Sequence, residues 1–315
     1  MTLSDQVRFG EYLLSVPYNF ERTELYTIQE LFDVFDYDDP GSFDRCYDTR
    51  VYKHMVKTGK ITDLPFEIAA RAFHDLGVRV AMKNFLKQYE PQKVVGIMGG
   101  HGLARTTQAY RKAVDVSKRL TEMGYLMISG GGPGAMEATH LGAYMAGRTK
   151  EEVDEAIEIL SLAPTFQDAG WLAQAFKVMD RFPLTTEYKS LSIPTWYYGH
   201  EPPSAFATHI AKLFENSIRE DTLLTEAYGG LIFMEGSAGT LQEIFQEAVQ
   251  NHYVSLGYPS PMIFVGKHFW TEEVPVVPFM QHMLNNGRYK NLLLNLADEV
   301  EEIIEAVEKF SEKTA

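Results

Sequence analysis

Cysteine and positive charge are both scarce in this chain. Cys46 is the single cysteine among 315 residues, which excludes an intramolecular disulfide and disfavours a cysteine-based metal cluster. The 29 Lys and Arg residues face 43 Asp and Glu residues, a formal net charge of −14. Because binding to nucleic acid or to an anionic membrane depends on clustered Lys and Arg, the charge balance argues against both partners.

Long apolar runs are also missing. No stretch approaches the roughly 20 apolar residues that span a bilayer, and no apolar run follows the first charges as in a secretory signal. We therefore expect a cytoplasmic protein with no membrane partner. The histidines show no metal-ligand spacing, so we expect no metal, and no motif indicates a resident cofactor.

No Pro/Gly/Ser-rich or charge-block linker divides the chain, so one large elaborated domain is the default. Up to about residue 90 the pattern is helical, most clearly over 66–89, where apolar residues recur at helical spacing. We expect residues 1–90 to form a helical N-terminal extension packed on a nucleotide-binding domain at 91–315. An aromatic segment around 165–190 lacks a clear period and is expected to form an insertion or a lid, its aromatics buried rather than stacked on bases.

From Lys93 onward, short apolar runs alternate with glycine-rich turns and amphipathic helices. This β-α-β-α order predicts an α/β fold, a doubly wound and mostly parallel Rossmann-like sheet with right-handed crossovers. The predicted strands are 94–98, 125–129, 191–198, 230–234 and 261–265. The predicted helices are 107–123, 135–146, 151–160, 205–216, 240–252 and 299–310.

The chain contains three glycine-rich turns. Two of them each follow a predicted strand and begin a helix: Gly130-Gly131-Gly132-Pro133-Gly134 and Gly236-Ser237-Ala238-Gly239-Thr240. Glycine lets a ligand approach the peptide N–H groups, and a helix N-terminus adds partial positive charge, so we expect the two turns to hold one phosphate jointly. The alternative for the first turn is a tight βα turn without a ligand.

A third turn, Gly99-Gly100-His101-Gly102, follows the first predicted strand. The carboxyl ends of the strands in a doubly wound sheet face one crevice, where all three turns would meet. Their spacing differs from the dinucleotide fingerprint, and no Walker A sequence occurs, which disfavours NAD binding and an NTPase.

Glu243, next to the second turn, has two interpretations. It lies three residues after Thr240, so it either faces the ligand on the same helix face or closes a capping box with Thr240.

Both signatures together resemble those of the LOG family. The matching segments are Ser129-Gly130-Gly131-Gly132-Pro133-Gly134-Ala135-Met136-Glu137 and Glu235-Gly236-Ser237-Ala238-Gly239-Thr240-Leu241-Gln242-Glu243, and the resemblance covers roughly residues 93–265. Members were often mislabelled lysine decarboxylases and include cytokinin-activating phosphoribohydrolases and nucleoside 5′-monophosphate nucleosidases. This chain departs from the pattern at Glu235, where the family has proline, at Ser237, where it has glycine, and at Glu220, where lysine is common.

The resemblance implies which residues act. Arg219 matches an arginine that precedes the second signature, and with Glu243 it is implied to act on the ribosyl part of a nucleoside monophosphate. The alternative for Arg219 is a surface salt bridge with Glu215 or Glu220. The glutamate would hold ribose hydroxyls or orient water, and the arginine would stabilise negative charge on the phosphate or the departing base. The candidate phosphate-binding and nucleotide-binding residues are Gly99, Gly100, Gly131, Gly132, Gly134, Met136, Gly236, Ser237, Gly239 and Thr240.

The predicted function is hydrolysis of the N-glycosidic bond of an AMP-like or cytokinin riboside monophosphate, giving free base and ribose 5-phosphate. The alternative is a protein that binds or senses a nucleotide in the same crevice without turnover. Single-stranded DNA handling fits poorly with the net charge. Because the family commonly forms dimers through the helices around the second signature, we expect a homodimer or higher homo-oligomer.

Overall fold

The computed structural model describes residues 3–39, 41–185, 187–199 and 202–314. Four helices precede the sheet: α1 Leu3–Leu13, α2 Ile28–Leu31, α3 Tyr47–Thr58 and α4 Pro65–Leu86. The strands are β1 Val94–Met98, β2 Leu126–Ser129, β3 Ser190–Ser192, β4 His209–Ile210, β5 Leu231–Phe233, β6 Pro261–Val265 and β7 Leu293–Ala297. The other helices are α5 Gln108–Glu122, α6 Ala135–Tyr144, α7 Lys150–Leu160, α8 Trp171–Arg181, α9 Asn216–Thr225, α10 Ala238–Tyr253, α11 Val276–Asn285 and α12 Val300–Thr314.

The seven strands form one sheet in the order β4-β3-β2-β1-β5-β6-β7, and every pair is parallel. In register, Gly96 of β1 faces Ile128 of β2 on one side and Leu231 of β5 on the other. The strand order therefore reverses between β1 and β5. This confirms the predicted doubly wound Rossmann-like α/β fold and puts the ligand crevice of such sheets at the carboxyl ends of these two strands.

The central strands are buried on both faces because helices cover both sides of the sheet. All five residues of β1, Val94–Met98, are buried, as are all four of β2. Such strands are continuous apolar runs in the sequence, so their positions can be predicted from it. Helix α5 begins where Thr107 accepts a hydrogen bond from the N–H of Tyr110 at 3.2 Å, an N-cap that ends the preceding turn.

The N-terminal helices share one hydrophobic core with the sheet. Tyr26, fully buried, exchanges backbone hydrogen bonds with Ile210 of β4 at 2.8 and 3.0 Å, so the segment before α2 closes the edge of the sheet. An edge covered in this way offers fewer free N–H and C=O groups for unwanted pairing.

The predicted helix at 205–216 is wrong. Residues 209–210 form β4 instead, and the N–H groups of Ala211 and Leu213 donate to the carbonyls of Ser192 and Pro194 at 2.8 and 3.0 Å. Pairing with the chain after β3 outweighs local helix propensity, and α9 begins only at Asn216. The predicted strand at 191–198 is shorter than expected: regular pairing covers only Ser190–Ser192, Pro194 lacks an N–H, and beyond it a single isolated bridge joins Thr195 to Leu213.

The aperiodic segment contains a helix that the sequence analysis missed. Helix α8 packs on α7, and Trp171 and Phe182 at its two ends are buried. Phe176 contacts Phe32 and Phe35 of the N-terminal region, with ring centroids 5.6 and 4.6 Å apart. These aromatics therefore pack in the core, as expected. Over the described ranges no helix is both long and apolar enough to cross a bilayer.

Candidate functional site

The three glycine-rich turns meet at the switch point between β1 and β5. The N–H of Gly100 donates to the carbonyl of Glu235 at 3.0 Å, and the N–H of Ala135 donates to the carbonyl of Gly100 at 3.2 Å. These two hydrogen bonds tie the turn after β1 to the turns after β5 and β2. The convergence that the strand order predicts is thus present in the structure.

A cavity of about 560 Å³ opens between these turns. It is large enough for a nucleotide, since pockets for small ligands span roughly 300–1,000 Å³. Eight of the candidate residues line it: Gly99, Gly100, Met136, Arg219, Ser237, Gly239, Thr240 and Glu243. The remaining lining residues are Met98, His101, Gly130, Tyr198, Glu220, Leu223, Ala238 and Gln242.

A smaller compartment of about 70 Å³ adjoins the cavity at the first glycine turn. Gly131 and Gly132 line this compartment and not the larger cavity. Both spaces share Gly130, Met136, Tyr198 and Arg219. The two signatures therefore line neighbouring spaces that meet at Arg219, whereas the prediction from the sequence is one phosphate shared by both turns.

Gly134 and Gly236 line neither space, and their roles are structural. Gly134 has φ +71°, and a Cβ built there would lie 2.3 Å from the carbonyl oxygen of Gly100. A Cβ at Gly236 would lie 2.1 Å from Oγ1 of Thr240. Gly134 thus lets the turns after β2 and β1 approach closely, whereas Gly236 lets Thr240 fold back against its own turn.

Arg219 lies in the first turn of α9, and its side chain is 12% exposed. Its Nη2 donates to Oδ1 of Asn216 at 3.1 Å, while Oε1 of Glu220 is 3.9 Å away and Glu215 accepts from Ser217 instead. Its buried Nε has no hydrogen-bond partner among the described residues. A guanidinium in a cavity wall with a free donor can bind an anionic ligand. A guanidinium in a surface salt bridge is already paired and offers no such donor to the cavity.

Glu243, in the second turn of α10, lines the same cavity as Arg219. Burial raises the pKa of its carboxyl to about 7, the positive charge of Arg219 opposes this shift, and the negative charge of Glu220 adds to it. The capping-box alternative is wrong, because α10 begins at Ala238 with Ser237 as its N-cap. Glu243 is therefore too far into the helix to cap it.

The N-terminus of α10 opens on the same cavity. Ser237 makes no side-chain cap, so the first N–H groups of this helix have no intrahelical partner and face the space that Gly239 and Thr240 line. Glu235, which stands in place of the family's proline, does not line the cavity. Its Oε1 would lie 3.2 Å from a Cβ built at Gly266, so its carboxylate points toward the turn after β6.

Several residues of the site carried no signal in the sequence analysis. Tyr198 lines both spaces, and Lys212, a buried lysine, lines the smaller one. Asn216 donates to Glu220 at 2.7 Å while accepting from Arg219, and so orders that part of the wall. These residues come from the stretch around β4, where the predicted helix is wrong.

His140 of α6 holds the first glycine turn in place by a hydrogen bond. Its Nε2 is 3.0 Å from the carbonyl oxygen of Gly130 and its Nδ1 is 3.2 Å from Oγ of Ser190. Complete burial lowers the pKa of its imidazole to about 4, so the ring is neutral at physiological pH. Because a carbonyl only accepts, the neutral ring donates from Nε2 and accepts a hydrogen bond from the Ser190 hydroxyl at Nδ1.

His101 belongs to the cavity wall, and its ring meets Phe166 edge-to-face with centroids 5.8 Å apart. Phe166 comes from the aromatic segment, so one residue of that segment reaches the margin of the site. No group of three His, Cys, Asp or Glu side chains within the described ranges could hold a metal ion.

No protein-family model matches the chain, and no curated protein matches it. Among solved structures, a molybdenum cofactor binding protein from Rippkaea orientalis is 15% identical over 69% of this chain and 95% of its own, with a TM-score of 0.44. The molybdenum cofactor carrier protein from Chlamydomonas reinhardtii is 17% identical over 69% of this chain and 96% of its own, with a TM-score of 0.42. What these proteins share with the chain is the α/β Rossmann-like fold.

Proposed function

We propose that this protein hydrolyses the N-glycosidic bond of a nucleoside 5′-monophosphate and that it is a member of the LOG family. The observation that carries the proposal is that Glu243 and Arg219 line one cavity at the switch point, where the charge of Arg219 acts on the Glu243 carboxyl. A carboxylate and a guanidinium in one cavity can act together on a bond that becomes charged as it breaks.

The 5′-phosphate would bind at the N-terminus of α10, where Gly239 and Thr240 present free N–H groups. The ribose would then lie between Arg219 and Glu243. Gly99 and Gly100 line the same cavity, and Gly99 packs too tightly for a side chain, since a Cβ there would lie 2.8 Å from the Cβ atoms of Ala135 and Met234. The base would extend toward Met136 and Tyr198.

In the reaction, a water molecule attacks C1′ of the ribose as the bond from C1′ to the base nitrogen breaks. The bonding electron pair leaves with the base, which takes up a proton, and the attacking water gives a proton to the ionised carboxylate of Glu243. Arg219 stabilises the negative charge that grows on the departing base or resides on the phosphate. Since the pKa of Glu243 is raised to about 7, kcat/KM should rise with pH through this value.

Glu235 and Ser237 are the two residues at which the second signature departs from the LOG family pattern. Glu235 points toward Gly266, so its charge does not face the proposed phosphate. Ser237 is exposed at the helix N-cap, where serine is a favoured residue. Neither substitution removes a donor that the proposed phosphate requires.

We also infer that the active form is a homodimer joined through α10. Phe245, Val249 and Tyr253 are 36%, 46% and 73% exposed and lie four residues apart, on one face of this helix. Phe279 of α11 packs beside them, with its ring centroid 5.9 Å from that of Phe245. An exposed apolar stripe of this kind is typical of a protein interface.

The test is to incubate the purified protein with AMP, GMP, CMP and cytokinin riboside monophosphates and follow base release by chromatography. We expect release with the wild type and none with Glu243→Ala. Absence of release from every nucleotide would contradict the enzymatic proposal. If a nucleotide then raises the melting temperature and is recovered intact, the same cavity serves binding or sensing.

A further inference from the structure

The smaller compartment at the first glycine turn differs chemically from the larger cavity. Its lining residues are Gly130, Gly131, Gly132, Met136, Ile193, Pro194, Thr195, Tyr198, Pro203, Lys212 and Arg219. No carboxylate is among them, whereas Glu220 and Glu243 both line the larger cavity. The compartment thus has two cations in its wall and no acidic side chain.

Hydrogen-bond donors in this wall are in excess. The N–H groups of Gly131 and Gly132 donate to no acceptor in the described part of the chain. Nε of Arg219 is buried and lacks a partner there too. Because buried donors in native proteins are nearly always satisfied, the buried Nε of Arg219 beside two free glycine N–H groups indicates an acceptor-rich occupant.

Lys212 is the second cation of the compartment, and only 3% of its side chain is exposed. Its Nζ contacts Oδ1 of Asp48 in α3 and lies 5.2 Å from the ring centroid of Trp196. Trp196 Nε1 donates to the same carboxylate oxygen at 2.8 Å. An ammonium group has three donors, so the contact with Asp48 leaves two for other acceptors.

Asp48 accounts for how a lysine can be buried here. An isolated ammonium is costly to bury, and a paired carboxylate offsets that cost. The carboxylate comes from the N-terminal extension and lies outside the lining of the compartment. Lys212 is thereby held against the first glycine turn without an acidic group facing the ligand.

We infer that this compartment is a second anion-binding subsite, formed by Lys212, Arg219 and the N–H groups of Gly131 and Gly132, with Asp48 as a positioning residue. It takes a compact group such as a phosphate. If the larger cavity binds a nucleoside monophosphate as proposed above, the preferred ligand is a nucleotide with a second phosphate on its ribose or another anion on its base. The anion subsite itself does not depend on turnover.

The direct test is to soak crystals in selenate, a tetrahedral dianion whose selenium gives an anomalous signal. We expect a peak next to Lys212 in the wild type and none in the Asp48→Asn/Lys212→Met double variant. The double variant removes both charges, because removal of one partner alone leaves a buried unpaired charge and risks misfolding. Lys309→Met, at an exposed lysine of α12, is the matched control and should retain the peak.

Absence of a wild-type peak beside Lys212, or persistence of the peak in a folded double variant, would overturn the inference. A second measurement compares nucleoside 3′,5′-bisphosphates with 5′-monophosphates by calorimetry. We expect the wild type to bind a bisphosphate at least about tenfold more tightly than a monophosphate, which is the gain in affinity that one charge-assisted contact supplies. The double variant should show no such preference. Equal affinities in the wild type would contradict the ligand class, whereas failure of base release would affect only the proposed hydrolysis.

Discussion

The carboxylate of Asp75 in α4 accepts a hydrogen bond from the backbone N–H of Glu215 at 2.9 Å, immediately before α9 begins. It also accepts from the N–H of Phe214. Glu215 makes no side-chain cap of its own, so a residue of the N-terminal extension caps the helix that carries Arg219. The extension therefore contributes to the geometry of the site from a distance.

Asp75→Ala should destabilise the protein by about 2 kcal/mol, the combined effect of a lost cap and buried N–H groups left unpaired. His74, whose Nδ1 is 2.8 Å from Asp75, would lose a partner as well. Urea denaturation measures the change, and Asp63→Ala, at an exposed aspartate, is the control. A variant as stable as this control would contradict the capping role.

Glu137→Ala should cost about 3–5 kcal/mol, because it leaves a buried guanidinium without its counter-charge. Arg105 donates to both carboxylate oxygens of Glu137 at 2.5 and 2.8 Å, and both side chains are at most 1% exposed. The same arginine donates to the carbonyls of Ala163 and Trp171, which ties α6 to the aromatic segment. Glutamate in the first signature is thus structural.

The matched control is Glu155→Ala, which breaks the exposed pair between Glu155 and Arg181. Exposed pairs contribute about 0–1 kcal/mol, so this variant should unfold at nearly the wild-type urea concentration. If the Glu137 and Glu155 variants lost equal stability, burial would not be the decisive factor.

The contribution of Glu243 to the stability of the folded protein should fall as pH rises from about 5 to 8. The folded state raises the pKa of this carboxyl from 4.5 to about 7, so within that window the folded chain binds the proton more tightly than the unfolded chain. Ionisation therefore favours unfolding as pH rises, and the effect is complete above the folded pKa.

The free energy of unfolding of Glu243→Gln, relative to that of the wild type, should therefore rise with pH over this window. The shifted pKa values of Glu247, His140 and His209 are present in both proteins and cancel in this difference. Urea denaturation at several pH values gives both slopes. Identical slopes for wild type and variant would show that Glu243 titrates normally in the folded protein.

Val249→Asp should convert a dimer into a monomer by placing a charge in the apolar stripe of α10. Light scattering on a size-exclusion column should give twice the chain mass of 35.7 kDa for the wild type and the chain mass for the variant. Val56→Asp, at a position of α3 that is 51% exposed, controls for an added surface charge. A monomeric wild type would rule out the interface.

The parts of the fold that could be predicted are those where local pattern and tertiary environment agree. Val94–Met98 is a continuous apolar run because both sheet faces are covered, and the turns after β2 and β5 are glycine-rich because backbones approach there. Residues 205–216 were mispredicted because pairing with β3 and Tyr26 is a long-range effect without a local signal.

The same limit applies to the site. Arg219 and Glu243 were found through a motif and its spacing, and the structure brings both to one cavity. Lys212 and Asp48 are separated by 164 positions, and nothing near either residue indicates the other. Such a pair can be identified only from the folded structure, in which the helical extension packs on the sheet.

The most direct test of the account is a crystal structure of Glu243→Gln with AMP, which should retain the bound nucleotide uncleaved. We predict that the phosphate lies at the N-terminus of α10 within hydrogen-bond distance of the Gly239 and Thr240 N–H groups, with C1′ of the ribose between Arg219 and position 243. A nucleotide bound elsewhere, or a phosphate on the opposite side of the cavity from Thr240, would contradict the account.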